Sequence, residues 1–317
     1  MPETQNPDFG RKVFFLNPSY KTRKYIVSEL RIQEYEVYEI DNYKTAKNIL
    51  RHNPHSILFI NSDSQMVLGA WVAFIKSFSD DAILKTIKTG ILSERIDEQN
   101  AKMIFDMVDI EAGITSLSGE IEKVLEVIKS LLDMHGAKGR RRYVRCSCTG
   151  DKAAQLFWTQ NIMHQFKILD ISSVTLAVRI PNTLNFTLKE GHELTNTQVV
   201  LGKRVLTHNL TVYIIKDTPA GHIAILTYDS GTALSFKALI REFIAQTLHN
   251  KIIASINNEP EDTVDYTMLA KQDNIMLEFN KTRENSSKAS EKKSAEKPSD
   301  DGETDGETKE ETDSTTP

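Results

Sequence analysis

Cysteine is almost absent. Cys146 and Cys148 are the only two in 317 residues, which excludes a disulfide framework. Two positions apart, they share one face of a strand, so the expectation is reduced thiols packed in a sheet, without a metal or redox role. Long apolar runs are missing as well. Hydrophobic residues make up 39% and charged residues 26%, and the apolar stretches are too short and too often interrupted to span a bilayer. The opening segment MPETQNPDFGRK has no apolar core of the kind a signal peptide carries. A cytoplasmic protein with no membrane insertion is expected. The eight histidines show no His-x-x-x-His spacing, with His52 and His55 the only close pair. Nor is there a glycine-rich phosphate loop or a Gly-x-Ser-x-Gly elbow, so neither an enzyme nor a resident metal or cofactor is expected.

An excess of positive charge is also lacking. The net charge is −5, from 39 Lys and Arg against 44 Asp and Glu. From Thr282 to Pro317 there are 6 basic and 11 acidic residues, which leaves 33 of each in the remainder. A neutral body lacks the extended basic surface that general nucleic-acid binding requires. Residues 282–317 contain no Ile, Leu, Val, Met, Phe, Tyr or Trp. Such a segment cannot offset its ordering entropy by burial, and is expected to be a disordered acidic tail.

What is present falls into two patterns. After an arm over residues 1–10, residues 11–135 alternate strand and helix signals. Strands are expected at Val13–Leu16, 35–40, Ile57–Ile60, 83–92 and 112–117. Helices are expected through Tyr25, Ile26 and Leu30, over 42–52, over 67–78 and near 98–109. Ile121, Val124, Leu125, Ile128, Leu131 and Leu132 then recur at helical spacing. Five strands alternating with five helices predict a doubly wound parallel sheet. Residues 139–255 read differently, as short strands at Val144–Cys146, 166–168, 174–180, 198–205, 210–216 and 222–228. Turns are expected at Gly150, Pro181–Asn182, Gly191, His208–Asn209 and Pro219–Gly221. This pattern predicts a small antiparallel barrel. Phe236, Leu239, Ile240, Phe243 and Ile244 form one helical stripe able to cap its mouth. Residues 256–281 give no clear structural signal. Trp71 with Phe74, and Phe157 with Trp158, read as core or interface residues.

The strongest chemical statement is the run Gly139-Arg140-Arg141-Arg142-Tyr143-Val144-Arg145, followed by Asp170-Ile171-Ser172. An arginine fork bonds phosphate or guanine O6/N7 in bidentate fashion, and its plane stacks on a purine. Lysine supplies the charge without the fork. A carboxylate such as Asp170 accepts guanine N–H groups, and the Ser172 hydroxyl adds an adjustable partner.

Two family resemblances attach to these segments. Residues 11–135 resemble the response-regulator receiver domain, most closely at Glu111-Ala-Gly-Ile-Thr-Ser-Leu-Ser-Gly119. Leu16-Asn17-Pro18 stands where a receiver carries its acidic pair, and Ile60 and Asn61 where it carries the phospho-accepting Asp. Asp63 lies just beyond, and Gly119 falls at the lysine position. Without the carboxylates there is no Mg²⁺ cage, so this is read as a pseudo-receiver for packing or protein contacts. Residues 139–250 resemble the PilZ domain, a barrel that binds the messenger cyclic di-GMP. Arg140, Arg141 and Arg145 match its Arg-x-x-x-Arg motif with the preceding arginine. Asp170 and Ser172 match Asp/Asn-x-Ser-x-x-Gly, but Thr175 stands at the glycine. The resemblance implies a non-enzymatic effector that binds cyclic di-GMP through these six residues and passes the signal to a protein partner. The other readings are a ligand-blind scaffold that binds only proteins, and RNA binding by the arginine run, which the neutral body disfavours.

Overall fold

In the computed structural model the described residues are 10–148, 154–160, 162–180, 188–219, 221–229 and 231–279. The arm over residues 1–9, the turns at Gly150 and Pro181–Asn182, and the acidic tail lie outside them.

The first half forms a parallel sheet. Its strands are β1 (Val13–Leu16), β2 (Val37–Ile40), β3 (Ile57–Asn61), β4 (Lys88–Ser93) and β5 (Ile114–Ser116), in the order β2-β1-β3-β4-β5. Both faces are covered, so β1 is apolar throughout and β3 is apolar from Ile57 to Ile60. Phe14, Leu16, Leu58 and Ile60 pack on one face with α2 (Tyr43–Arg51) and α3 (Leu68–Lys76). Val13, Phe15, Ile57 and Phe59 pack on the other with α1 (Ser28–Ile32) and its leading π-helical turn Thr22–Val27. That second face also takes Val124, Ile128 and Leu132 of α5 (Ile121–Met134), so the periodic stripe read from the sequence is the buried one. The remaining helix, α4 (Glu98–Met107), begins with the Asp97 carboxylate accepting the Asn100 N–H at 2.7 Å, an N-cap.

The expectation of a strand over 83–92 is corrected at its start. Leu84–Thr86 is a 3₁₀ turn and β4 begins at Lys88. The Asp81 carboxylate accepts the N–H groups of Ile83 and Leu84 at 2.9 and 3.0 Å, which bends the backbone away from an extended path.

The second half is an antiparallel barrel. β7 (Ala154–Thr159), β8 (Met163–Ser172), β9 (Thr175–Arg179), β10 (Glu193–Leu201), β11 (Arg204–Thr218) and β12 (Gly221–Tyr228) close in the order β8-β7-β10-β11-β12-β9, with β9 returning to β8. β6 (Arg145–Ser147) lies outside this ring, paired to β8. Leu156, Phe166, Ile168, Ile171, Leu176, Val178, Val199, Leu210, Val212 and Leu226 fill the interior. Cys146 and Cys148 join that core as free, buried thiols, and Trp158 is buried with them while Phe157 is half-buried. β7 was not anticipated in the sequence. The expected strand over 198–205 is two strands joined at Gly202–Lys203, because Gly202 supplies the left-handed φ of +62° that a tight hairpin needs. No turn occurs at His208–Asn209. There the Asn209 side chain accepts the N–H of Asn196 at 2.9 Å, across the irregularity between Leu194 and Thr197, and β11 runs through.

The long helix α6 (Leu234–Ser255) contributes Ile240 and Ile244 to the barrel core and Ile252 to the core beside α3. Residues beyond it, silent in the sequence, fold back on the parallel sheet's helices through α7 (Tyr266–Gln272). The Tyr266 ring sits 5.2 Å from that of Phe74 and 6.1 Å from that of Tyr43, edge-on in both cases. Lys47 reaches over the Tyr266 ring at 5.0 Å and pairs with Asp262 at 3.6 Å. Burial pushes the Lys47 ammonium below its ordinary value, with Asp262 opposing that shift. Gly69 of α3 faces the segment just after α7, where an added Cβ would lie 2.6 Å from the flexible Met276 sulfur. Among the described residues no helix is long and apolar enough to cross a membrane.

Candidate functional site

The site is built on the β6–β8 pair and the chain that leads into it. In the ladder Arg145 stands opposite Ser172, Cys146 opposite Ile171, and Ser147 opposite Asp170. Residues directly opposite in an antiparallel pair share a face. Cys146 and Ile171 point into the core, so Arg145, Ser147, Asp170 and Ser172 share the face turned away from the barrel interior, where Arg145 and Ser147 are exposed, Asp170 is half-buried and Ser172 is covered. Alternation along two short strands therefore brings the second half of the arginine motif onto the first half of the Asp-x-Ser motif.

Arg140, Arg141 and Arg142 occupy the irregular connection from α5 to β6, and all three are exposed. Arg142 lies over the Tyr143 ring at 5.5 Å. The connection is tethered to the first half at several points. The N–H of Arg11 donates to Gly136 O at 3.0 Å, and the Lys138 ammonium sits 4.1 Å above the Tyr35 ring. Gly10 packs so closely on Ala137 that a Cβ would come within 2.0 Å of its carbonyl oxygen.

Asp170 is half-buried, and burial raises its carboxyl above the ordinary carboxylate value. The charges of Arg145, Arg141 and Lys251 oppose that shift. The charges of three cations therefore act on one partly desolvated carboxylate. Lys251, on α6, also donates to the Ser147 carbonyl. The sequence offered no signal for Lys251, because only the packing of α6 across β6 and β8 brings it here.

Ser172 is fully buried, and its hydroxyl is engaged within the turn that joins β8 to β9. It accepts the N–H groups of Val174 and Thr175 at 3.3 and 3.0 Å, and its oxygen lies 2.9 Å from the Thr175 hydroxyl. In this arrangement Ser172 shapes the turn that carries Asp170. Thr175 opens β9 opposite Thr227 and is not among the described residues with a positive φ. The backbone here does not require the glycine that the motif carries. Threonine changes side-chain space and hydrogen bonding and leaves the backbone conformation accessible.

In the first half, the ends of β1 and β3 carry amides, hydroxyls and one carboxylate, Asp63. Asn17 donates through its amide to the Ser64 hydroxyl at 2.6 Å. Asp63 accepts the Ser93 hydroxyl at 2.5 Å and the Glu94 N–H at 2.8 Å. Among the described residues no group of His, Cys, Asp and Glu could hold a metal ion.

No family model and no curated protein matches this chain. Several solved structures are similar to part of it. One is the PilZ domain with cyclic di-GMP of YcgR from Escherichia coli, at 14% identity over 38% of this chain and 98% of that one, with a TM-score of 0.32. A second is MotI/DgrA, an inhibitor of motility from Bacillus subtilis, at 21% identity over 35% and 53%, with a TM-score of 0.30. A third is the MrkH–cyclic di-GMP complex of K. pneumonia, at 18% identity over 35% and 53%, with a TM-score of 0.30. MrkH is described elsewhere among these structures as a transcription regulatory factor dependent on cyclic di-GMP. The chain spans about half the length of the MotI and MrkH chains.

Proposed function

We propose that this protein is a non-enzymatic effector that binds cyclic di-GMP on the outer face of its barrel and transmits binding to a protein partner. One observation supports it above others. Strand pairing sets Arg145 opposite Ser172 on the face that carries Asp170, within reach of the charge of Arg141. The ligand presents two phosphates and two guanines. Arg140, Arg141 and Arg145 are the groups that grip phosphate or the guanine O6/N7 edge and stack on its plane. Asp170 accepts guanine N–H groups, and Ser172 and Thr175 form the turn that positions it. Arg140 and Arg141 sit on an irregular segment that can close over a ligand, and Arg145 projects from the strand itself.

Titration calorimetry with cyclic di-GMP on the wild type and Arg141→Ala tests the assignment. Saturable binding by the wild type that is lost in the variant is the expected result. Binding that survives the substitution overturns the site.

A further inference from the structure

We infer that Glu34, from the parallel-sheet half, is a latch that holds both ligand-site motifs in the unliganded arrangement and that the ligand must release. This inference rests on the cyclic di-GMP reading above. The Glu34 carboxylate receives donors from three separate elements. The Val144 N–H, inside the arginine segment, donates to Oε2 at 3.0 Å. The Ser173 hydroxyl, inside the Asp170–Thr175 segment, donates to Oε1 at 2.6 Å. Arg241 Nε, on the helix that caps the barrel, donates to the same oxygen at 2.8 Å. The Glu34 side chain is only 10% exposed, so these bonds are made largely out of water, where they count for more.

The backbone gives a second, independent sign. Glu34 sits just past the end of α1 with φ at +65°, a position where the left-handed conformation favours glycine. The N–H of Tyr35 closes onto the Leu30 carbonyl at 3.0 Å, and that of Glu34 onto the Arg31 carbonyl at 3.2 Å, so the turn is a helix stop. Glycine would make this stop without strain. A glutamate held there against its preference is understood from what its carboxylate does.

Its charge sets the sign of the coupling. Glu34 and Glu36 line the same recess as Gly139, Arg141, Tyr143 and Arg145. A ligand bearing two phosphates drawn in by those arginines meets like charge from Glu36 and from Glu34, the latter partly offset by its ion pair with Arg241. The arginine segment therefore has competing partners, the latch from the other half and the ligand. Release of Val144 and Ser173 removes two ties between the arginine and Asp-x-Ser segments and the parallel-sheet half while α6 still spans both cores, which is how binding is reported at a distance. By linkage, whatever factor the latch costs the ligand, the ligand costs the latch.

Glu34→Gln keeps the size and the acceptor oxygen but removes the charge, and Ser173→Ala removes one donor without touching Glu34. Cyclic di-GMP affinity is measured by calorimetry for the full chain and each variant, alongside amide hydrogen exchange at Val144 without ligand. Glu34→Gln is expected to bind about fivefold tighter or better, and to exchange its Val144 amide about tenfold faster. Ser173→Ala shifts both in the same direction by less. Affinity that is unchanged or weakened in Glu34→Gln overturns the latch as an opponent of the ligand. If the wild type binds no cyclic dinucleotide, the ligand reading fails by itself and the exchange arm decides the latch. Faster exchange in the variant then upholds it, and unchanged exchange overturns it.

Discussion

The hydroxyl of Thr175 lies 2.9 Å from the hydroxyl of Ser172, at the position where the matching motif carries glycine. Thr175 is extended strand and needs no left-handed backbone, so Thr175→Gly removes only the side chain and its grip on Ser172. Cyclic di-GMP affinity is expected to rise or stay the same. The glycine weakens a strand by about 0.5–1 kcal/mol, a drop of a few degrees in melting temperature. Calorimetry and thermal denaturation read the two effects separately, and a clear loss of affinity would mean the motif is misplaced.

Arg145→Lys keeps the charge on the outer face of β6 and loses the planar fork. If Arg145 reads phosphate or guanine in bidentate fashion, affinity falls about tenfold or more, since such a pair contributes about 1–3 kcal/mol. The residue is exposed, so the melting temperature stays within the ordinary scatter of surface substitutions. An unchanged affinity would remove Arg145 from the site.

Asp170 gives the site a pH signature. Burial raises its carboxyl above the ordinary carboxylate value, so the folded state takes up a proton more readily than the unfolded chain. Stability from this group is present at low pH and declines as pH rises through the raised value. Ligand binding runs the other way, because guanine N–H groups need the ionised carboxylate. Wild-type affinity should weaken on acidification while the pH is still above the ordinary carboxylate range. Asp170→Asn should lack that step and lose part of the pH dependence of its stability. Calorimetry and denaturant titrations over the acidic range check both.

Arg241 neutralises Glu34 where both side chains are largely buried, at 19% and 10% exposure. Arg241→Met leaves the carboxylate with neutral donors only and is expected to cost about 2–3 kcal/mol, toward the low end for breaking a buried pair. Adding Glu34→Gln should recover much of that loss. A double-mutant cycle by urea unfolding measures the coupling, and simple additivity would show the pair is energetically idle.

Tyr266 anchors the fold-back of α7 on α2 and α3, and is 1% exposed. Tyr266→Ala should destabilise the parallel-sheet half by about 3–5 kcal/mol, as other large aromatic truncations in cores do. Urea unfolding followed by fluorescence in a Trp158→Phe background, which leaves Trp71 as the sole tryptophan, reports this. A loss below about 1 kcal/mol would show that the extension is not integral to that core.

The periodic segments were legible because their burial pattern is local. Ile57–Ile60 is apolar throughout and became a central parallel strand, and the stripe from Ile121 to Leu132 became the buried face of α5. Features carried by side-chain capping or by distant packing were not legible. The Asp81 cap shortened β4 through two side-chain hydrogen bonds, and Gly202 moved a hairpin through its left-handed backbone. The segment beyond residue 255 carries little periodic signal, and its order comes from Tyr266, Lys47 and Gly69, which are far apart in the chain.

The amino-acid order by itself determined the two fold patterns, the run of arginines, and the Asp-x-Ser that follows it. Those are properties of spacing and residue type within a few neighbours. Tertiary structure decided that Arg145 faces Ser172, that Lys251 joins the cations around Asp170, and that Glu34 holds Val144, Ser173 and Arg241 at once. Strand pairing and helix packing bring together groups separated by up to 207 residues. A carboxylate's partners are set by which donors lie within hydrogen-bond distance, and no local pattern encodes that distance.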